Sequence, residues 1–367
     1  MNEAISYFIR KSADWLFRKR SPALYTARCG FFLLSVALVG SWAMFVTYHD
    51  KERFFEFNYH SSNVGSFFLL SGFMFGCIAF VGGILWEFKR YSDESKLKAR
   101  KKTIVIEQRG LIDTADKPLD TFISSNLNKN TDSIVNDIRE RIVDNVVTRP
   151  DVALRKLEHL ARDIQVRKEH LDSNDVTIAY GGIMPVPFAF FTGYILDDET
   201  AINLYDWCRD ESNWKTLDEE DDNEQFIIEH NPCNAKEAIV AISFSYLVDK
   251  QSIQSEFLGK QIHYLTLDKR HRNNHWSKKK QNRLAGDFFE YCKYLQDKGV
   301  EHIHLVLAAQ NSVAFRFGQA YDKRNLPNLT IYQYEKHSTP KYKWGVSITP
   351  SEERNVIITS DSNEVAA

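Results

Sequence analysis

The stretch HIHLVLAAQNSVAFRFGQAYDKRNLPNLTIYQYEKHSTPKYKW, residues 302–344, reads as strand, loop, helix, strand, strand. Ile303, Leu305, Val306 and Leu307 form an apolar run, residues 308–312 a small polar loop, and Val313, Phe315 and Phe317 one side of a helix. Residues 329–334 and 342–346 follow as strands. Where a buried strand hands over to a helix, the crevice at the strand's carboxyl end meets free helix N–H groups, which is where α/β proteins bind ligands. Gln310, Asn311 and Ser312 stand in that loop, with two amides and a hydroxyl to offer.

The pattern occurs a second time upstream. Residues 176–180 read as a strand, residues 181–185 (GGIMP) as a loop, residues 187–196 as a helix and residues 201–207 as a strand, with Trp214 and Leu217 on the next. PFAFFTGYI stands opposite VAFRFGQAY, INLYDW opposite TIYQY, and NWKTL opposite KYKWGV, which is an internal repeat. In the upstream copy Gly181 and Gly182 either make a tight turn or remove side chains where a phosphate could approach backbone N–H groups, and Pro185 closes the loop.

On these two stretches, IAYGGIMPVPFAFFTGYIL and residues 302–348, the chain resembles a SAVED domain. That is a sensor of two fused CARF-like, Rossmann-type units found in CBASS antiphage systems. The resemblance covers about residues 103–349 and lies in pattern, not in catalytic residues. With two apolar spans in front, the whole chain resembles a two-transmembrane SAVED effector, or TM-SAVED. The resemblance implies a cyclic di- or trinucleotide ligand made by a partner nucleotidyltransferase after phage infection. It also implies ligand-induced stacking into homo-oligomers.

At 367 residues, with 43% hydrophobic and 13% aromatic content, the chain can form two or three packed domains. A net charge of −2 excludes the basic surface that holds duplex nucleic acid by counterion release, so any nucleotide contact is local. Cys29, Cys77, Cys208, Cys233 and Cys292 are scattered, without C-x-x-C or zinc spacing, which argues against a disulfide framework and a structural metal.

Residues 1–22 form a basic amphipathic segment, with Ile5, Phe8, Ile9, Trp15 and Leu16 on one helical side. It reads either as a helix on the anionic inner leaflet or as a flank that only sets topology. Residues 23–48 carry one charge, Arg28, near their start, and residues 65–88 carry none before Glu87. At 1.5 Å per residue each crosses a hydrocarbon core of about 30 Å, and the first is too long for a signal peptide. Lysines and arginines crowd residues 10–28 and 89–102, whereas the intervening loop has only Lys51 and Arg53. Both termini therefore face the cytoplasm, as in a multi-pass protein of the bacterial inner membrane. Gly72, Gly76, Ala79 and Gly83 line one face of the second span. That face packs either within the hairpin, against Gly30, Ala37 and Ser41, or against neighbouring protomers.

Residues 89–102 form a basic juxtamembrane linker suited to lipid phosphates. The first unit is assigned to residues 103–224 and the second to residues 225–350, with a flexible polar tail over residues 351–367. Residues 132–147 (Ile134, Ile138, Ile142, Val146) and 151–171 (Leu154, Leu157, Ala161, Ile164) have helical periodicity. The acidic run DEEDDNE, residues 218–224, reads as a solvated loop between the units.

No P-loop, G-x-S-x-G, H-E-x-x-H or recognisable nucleophile set is present. His271 with His275, and His302 with His304, have metal-compatible spacing but no nearby third ligand. Binding is therefore favoured over turnover, with no cofactor, and a membrane-anchored nucleotide hydrolase or nuclease is the alternative. Tyr332, Tyr334, Tyr342 and Trp344, with Tyr205, Trp207 and Trp214 in the partner unit, either stack nucleobases or fill the core. Gln333, Lys336, Arg316 and residues 268–272 either read base edges and neutralise phosphates or are ordinary surface residues. The expected whole is a composite pocket between two α/β units, whose cyclic-oligonucleotide ligand gathers the hairpins until they breach the membrane in an abortive infection.

Overall fold

The computed structural model describes residues 21–40, 63–127, 130–144, 146–169, 171–172, 175–197, 202–229, 235–322, 325–349 and 356–358. The chain forms two compact units, Met1–Arg100 and Lys101–Ala367. The amphipathic N-terminal segment, the end of the first span (residues 41–48), the hairpin loop and most of the tail lie outside the described residues.

The first unit is a helical hairpin. Helix α1 (Pro22–Gly40) starts where a start is cheap, with Pro22 in its first turn and Ser21 Oγ accepting from the Leu24 amide at 3.4 Å. Helix α2 (Asn63–Arg100) is unbroken for 38 residues, so residues 89–100 continue the same helix. Small residues let the two backbones touch: a Cβ on Gly30 would stand 2.2 Å from the Phe80 nitrogen, and one on Gly83 2.5 Å from the Ala27 nitrogen. Gly76 lies against Leu34 in the same way, at 2.9 Å. Gly72 departs from this seam, since among the described residues nothing comes within 4 Å of a Cβ there. Phe31, Phe32, Phe75, Ile78, Leu85 and Phe88 are exposed on the outer face. Among the described residues one stretch, Leu70–Lys96, is long and apolar enough to cross a membrane.

The second unit opens with β1 (Lys102–Arg109), α3 (Leu119–Leu127) and β2 (Asn130–Asp137). Here the expectation of a helix over residues 132–147 fails. Residues 130–137 pair in parallel with β1, Ile134 opposite Ile106, a single 3-10 turn follows at Arg139–Arg141, and β3 (Ile142–Val143) and β4 (Val146–Val147) close a small hairpin. Spacings of four also fit a period of two, and β-branched residues beside an open strand edge take the sheet. Helices α4 (Pro150–Glu158) and α5 (Leu160–Lys168) follow, broken at His159. Then come β5 (Val176–Ile183), α6 (Val186–Ile195), β6 (Ile202–Cys208) and β7 (Asn213–Thr216). The sheet order is β2-β1-β5-β6-β7, parallel except for β7.

A second sheet is built from β8 (Ile227–Glu229), β9 (Glu237–Ser243), α7 (Lys250–Glu256), β10 (Gln261–Thr266) and α8 (Lys278–Asp297). It continues through β11 (His302–Ala308), α9 (Asn311–Ala320), β12 (Asn328–Tyr332), β13 (Trp344–Ile348) and β14 (Val356–Ile358). The order is β14-β13-β12-β11-β9-β10-β8, with a parallel core of β12, β11, β9 and β10. Val356–Ile358 pairs antiparallel with β13, so the polar tail contains a strand. The acidic run is likewise not only solvated. Asp222 and Glu224 hold the buried Lys280 ammonium at 2.7 and 2.8 Å, and Asp221 pairs with Arg283 at 2.8 Å, fastening the start of α8.

The two halves meet along α6 and α9, and the contact is reciprocal. A Cβ on Gly193 would stand 1.9 Å from the Phe315 carbonyl oxygen, and one on Gly318 1.9 Å from that of Phe190. The crossing therefore equates Gly193 with Gly318 and Phe190 with Phe315, one residue out of register with the pairing of PFAFFTGYI and VAFRFGQAY. Phe188, Phe190, Phe191, Phe288 and Phe317 fill one core that runs through both halves. Burying each such ring stabilises the fold by roughly 1.5–3 kcal/mol.

Candidate functional site

In the second sheet β9 and β11 lie side by side, yet their chains leave in opposite directions: β9 passes through α7 to β10, and β11 through α9 to β12. Diverging connections open a crevice at the carboxyl ends of the two strands. A cavity of about 550 Å³ occupies it. Residues 246–249 form one wall, Leu307, Ala308 and Ala309 the floor, Tyr332, Gln333, Tyr334 and Tyr342 the opposite wall, and Val186 of the first half one corner.

The walls are held by ordinary backbone chemistry. The Ala308 carbonyl accepts from the amides of Phe244, Ser245 and Tyr246 at 3.1–3.3 Å, which curls the chain after β9 over the end of β11. Asp249 caps α7, its carboxylate accepting from the Ser252 amide at 3.1 Å and the Ser252 hydroxyl at 2.8 Å. Glu256, at the other end of α7, accepts from the amides of Lys341 and Tyr342 at 2.7 and 2.9 Å and so ties the wall after β12 to the same helix.

The cavity is aromatic with one ion pair. Tyr332 and Tyr342 are buried at its back, where desolvation pushes both hydroxyls above their usual range. Tyr246 and Tyr334 stand at the mouth, 42% and 40% exposed. Lys341 Nζ lies 2.7 Å from the Asp249 carboxylate and 5.9 Å from the centre of the Tyr334 ring. The lysine hydrogen bond, then the Ser252 amide and hydroxyl, bring the Asp249 pKa down to about 2. Rings at the mouth can stack planar bases, and a single cation there can meet a phosphate.

Of the residues expected to bind ligand, Tyr332, Gln333 and Tyr334 line this cavity. Gln310 stands one bond away, donating to Tyr246 Oη at 2.9 Å and to the Arg272 carbonyl at 2.8 Å. The others serve elsewhere. Gly181 and Gly182 lie inside β5, not in a loop, and no phosphate cradle forms there: Trp214 and Leu119 cover Gly181, and the Tyr180 hydroxyl covers Gly182. Pro185 is buried before α6. Asn311 clamps Met184, accepting from its amide at 2.8 Å and donating to its carbonyl at 3.0 Å. The Ser312 amide donates to the buried Asp206 carboxylate at 3.0 Å. Tyr205 is buried against Phe122, and Arg316 donates to Gln319 at 2.6 Å while burial lowers its pKa to about 10.

These contacts are exchanged between the repeats. Asp206, after a tyrosine in β6, caps α9, and Gln333, after a tyrosine in β12, accepts from the Val186 amide of α6 at 3.1 Å. Both loops that looked like free anion sites are thus filled by side chains of the opposite half. Missed from sequence were residues 246–249 and Lys341, although the Asp249 to Ser252 spacing is a helix-start signal. The histidine pairs hold no metal-like cluster among the described residues. His275 is buried 3.7 Å from Asp206, and His302 and His304 bond Thr330 and Tyr332 at 2.9 and 3.0 Å.

Comparison with known proteins gives two family matches. Residues 2–154 match the SAVED-fused 2TM effector domain, and residues 158–348 match SAVED, the SMODS-associated sensor domain fused to various effectors. No curated protein matches the chain. Among solved structures, the Acinetobacter baumannii Cap4 SAVED/CARF-domain containing receptor with the cyclic trinucleotide 3'3'3'-cAAA is similar at 13% identity and a TM-score of 0.46. The same receptor with 2'3'3'-cAAA gives 13% identity and 0.45. In both cases the match covers 78% of this chain and 59% of the receptor's length. With residues 158–348 amounting to just over half of its 367, the chain belongs to the SAVED family, as a sensor domain fused to a two-transmembrane effector domain.

Proposed function

We propose that this protein is a CBASS antiphage effector whose SAVED domain binds a cyclic di- or trinucleotide in the crevice between β9 and β11. The cavity there carries the reading: it lies at the switch point of a parallel sheet and has stacking surfaces at its mouth. Bases stack on Tyr246 and Tyr334, and Lys341 meets a phosphate. The messenger comes from a partner nucleotidyltransferase and is bound rather than consumed. Occupied sensors assemble into homo-oligomers, and tethering in a plane raises the effective concentration of the hairpins that follow them. Clustered hairpins then breach the inner membrane and end the infection with the cell. In this arrangement the protein is multi-pass, with both termini cytoplasmic, and the apolar outer faces of α1 and α2 meet lipid.

The test is calorimetric titration of the full chain in nanodiscs with cyclic di- and trinucleotides, followed by mass spectrometry of the recovered ligand. Saturable binding with the ligand recovered intact is expected. No binding across the set would remove the sensor role, and linear products would make the protein a hydrolase.

A further inference from the structure

The cavity is poor in cations. Among the described residues none that line it is a lysine or arginine, and Lys341 reaches it only through its ion pair with Asp249, a residue of the wall. A carboxylate facing a ligand repels phosphates, so the phosphate ring cannot occupy the Asp249 side. What a carboxylate accepts is a pair of N–H donors. Guanine presents two adjacent donors, N1–H and the N2 amino group, whereas adenine places the N1 lone pair where one of them would be.

We propose that Asp249 reads a guanine base, so that the preferred messenger contains at least one guanosine. The inference rests on the sensor reading above. Asp249 has acceptor capacity for it: among the described residues Oδ1 accepts from the Ser252 amide alone, and Oδ2 from the Ser252 hydroxyl and Lys341 Nζ. When ligand enters, the ammonium turns on its flexible stem to the neighbouring phosphate. The guanine edge replaces it on Oδ2 and takes the open position on Oδ1, while Tyr334 and Tyr246 flank the ring.

The experiment compares cyclic di-AMP, cyclic GMP–AMP, cyclic tri-AMP and cyclic AMP–AMP–GMP by calorimetry on the full chain in nanodiscs, with wild type and Asp249→Asn. Asparagine keeps the cap on α7, so folding is retained and is checked by thermal melting. Wild type is expected to prefer the guanine-containing ring of each size by about tenfold or more. Asp249→Asn is expected to erase that preference, a change in ratio that a purely structural role would not produce. Equal or tighter binding of the all-adenine rings, or an unchanged ratio in the variant, would overturn the guanine reading and leave the sensor in place. Binding of none would remove both.

Discussion

At the residue scale, Tyr334 stands where the open mouth of the cavity gives way to packed core. Its neighbours Tyr332 and Tyr342 are packed under Phe257, with ring centres 5.0 and 5.8 Å away, while Tyr334 is open. Tyr334→Ala should therefore weaken cyclic-nucleotide affinity by about 1–3 kcal/mol, the worth of one stacked base, with little change in melting temperature. A variant that melts early or binds normally would contradict this. His304 carries a pH prediction. Burial first, then the Lys260 ammonium, hold its pKa down to about 4, against about 6.5 in an unfolded chain. The folded state therefore refuses a proton that the unfolded state accepts. Stability should be flat above about pH 7 and fall steadily from about pH 6.5 toward pH 4, and His302 and His275, both shifted downward, add to the slope. Thermal melts across that range should show a shallower slope for His304→Gln than for wild type.

At the element scale, the crossing of α6 over α9 depends on two glycines. Gly193→Ala or Gly318→Ala would drive a methyl group into a backbone carbonyl and should cost about 3 kcal/mol or more, visible as early melting or insolubility. Gly72→Ala, with nothing near it among the described residues, should be close to neutral, whereas Gly83→Ala should loosen the hairpin. Much of this scale was legible in the sequence. The two apolar helices, the strand-helix-strand repeat and the parallel strands follow from periodicity and composition, because buried parallel strands and long apolar helices leave strong local signals. Residues 132–147 were misread because a spacing of four serves helix and strand alike, and only the edge of β1 decides. The Gly181-Gly182 pair was misread because a glycine that admits a tryptophan ring looks in sequence like one that admits a phosphate. Loop side chains were the hardest part. Asn311 and Ser312 open α9 instead of standing in the loop before it, Gln333 follows β12 instead of ending a strand, and their partners Met184, Asp206 and Val186 come from the other half, which no local pattern records.

At the scale of the whole molecule, sensor and effector stand in one chain, and the proposal joins them through assembly. The most direct measurement is dye release from liposomes of inner-membrane composition that hold the full chain, with cyclic oligonucleotide added on the side of the SAVED domain. We expect leakage that begins only with ligand, saturates with sensor occupancy and is lost in Tyr334→Ala. Leakage without ligand, or an intact bilayer when the sensor is saturated, would contradict the coupling of the cavity to the hairpin.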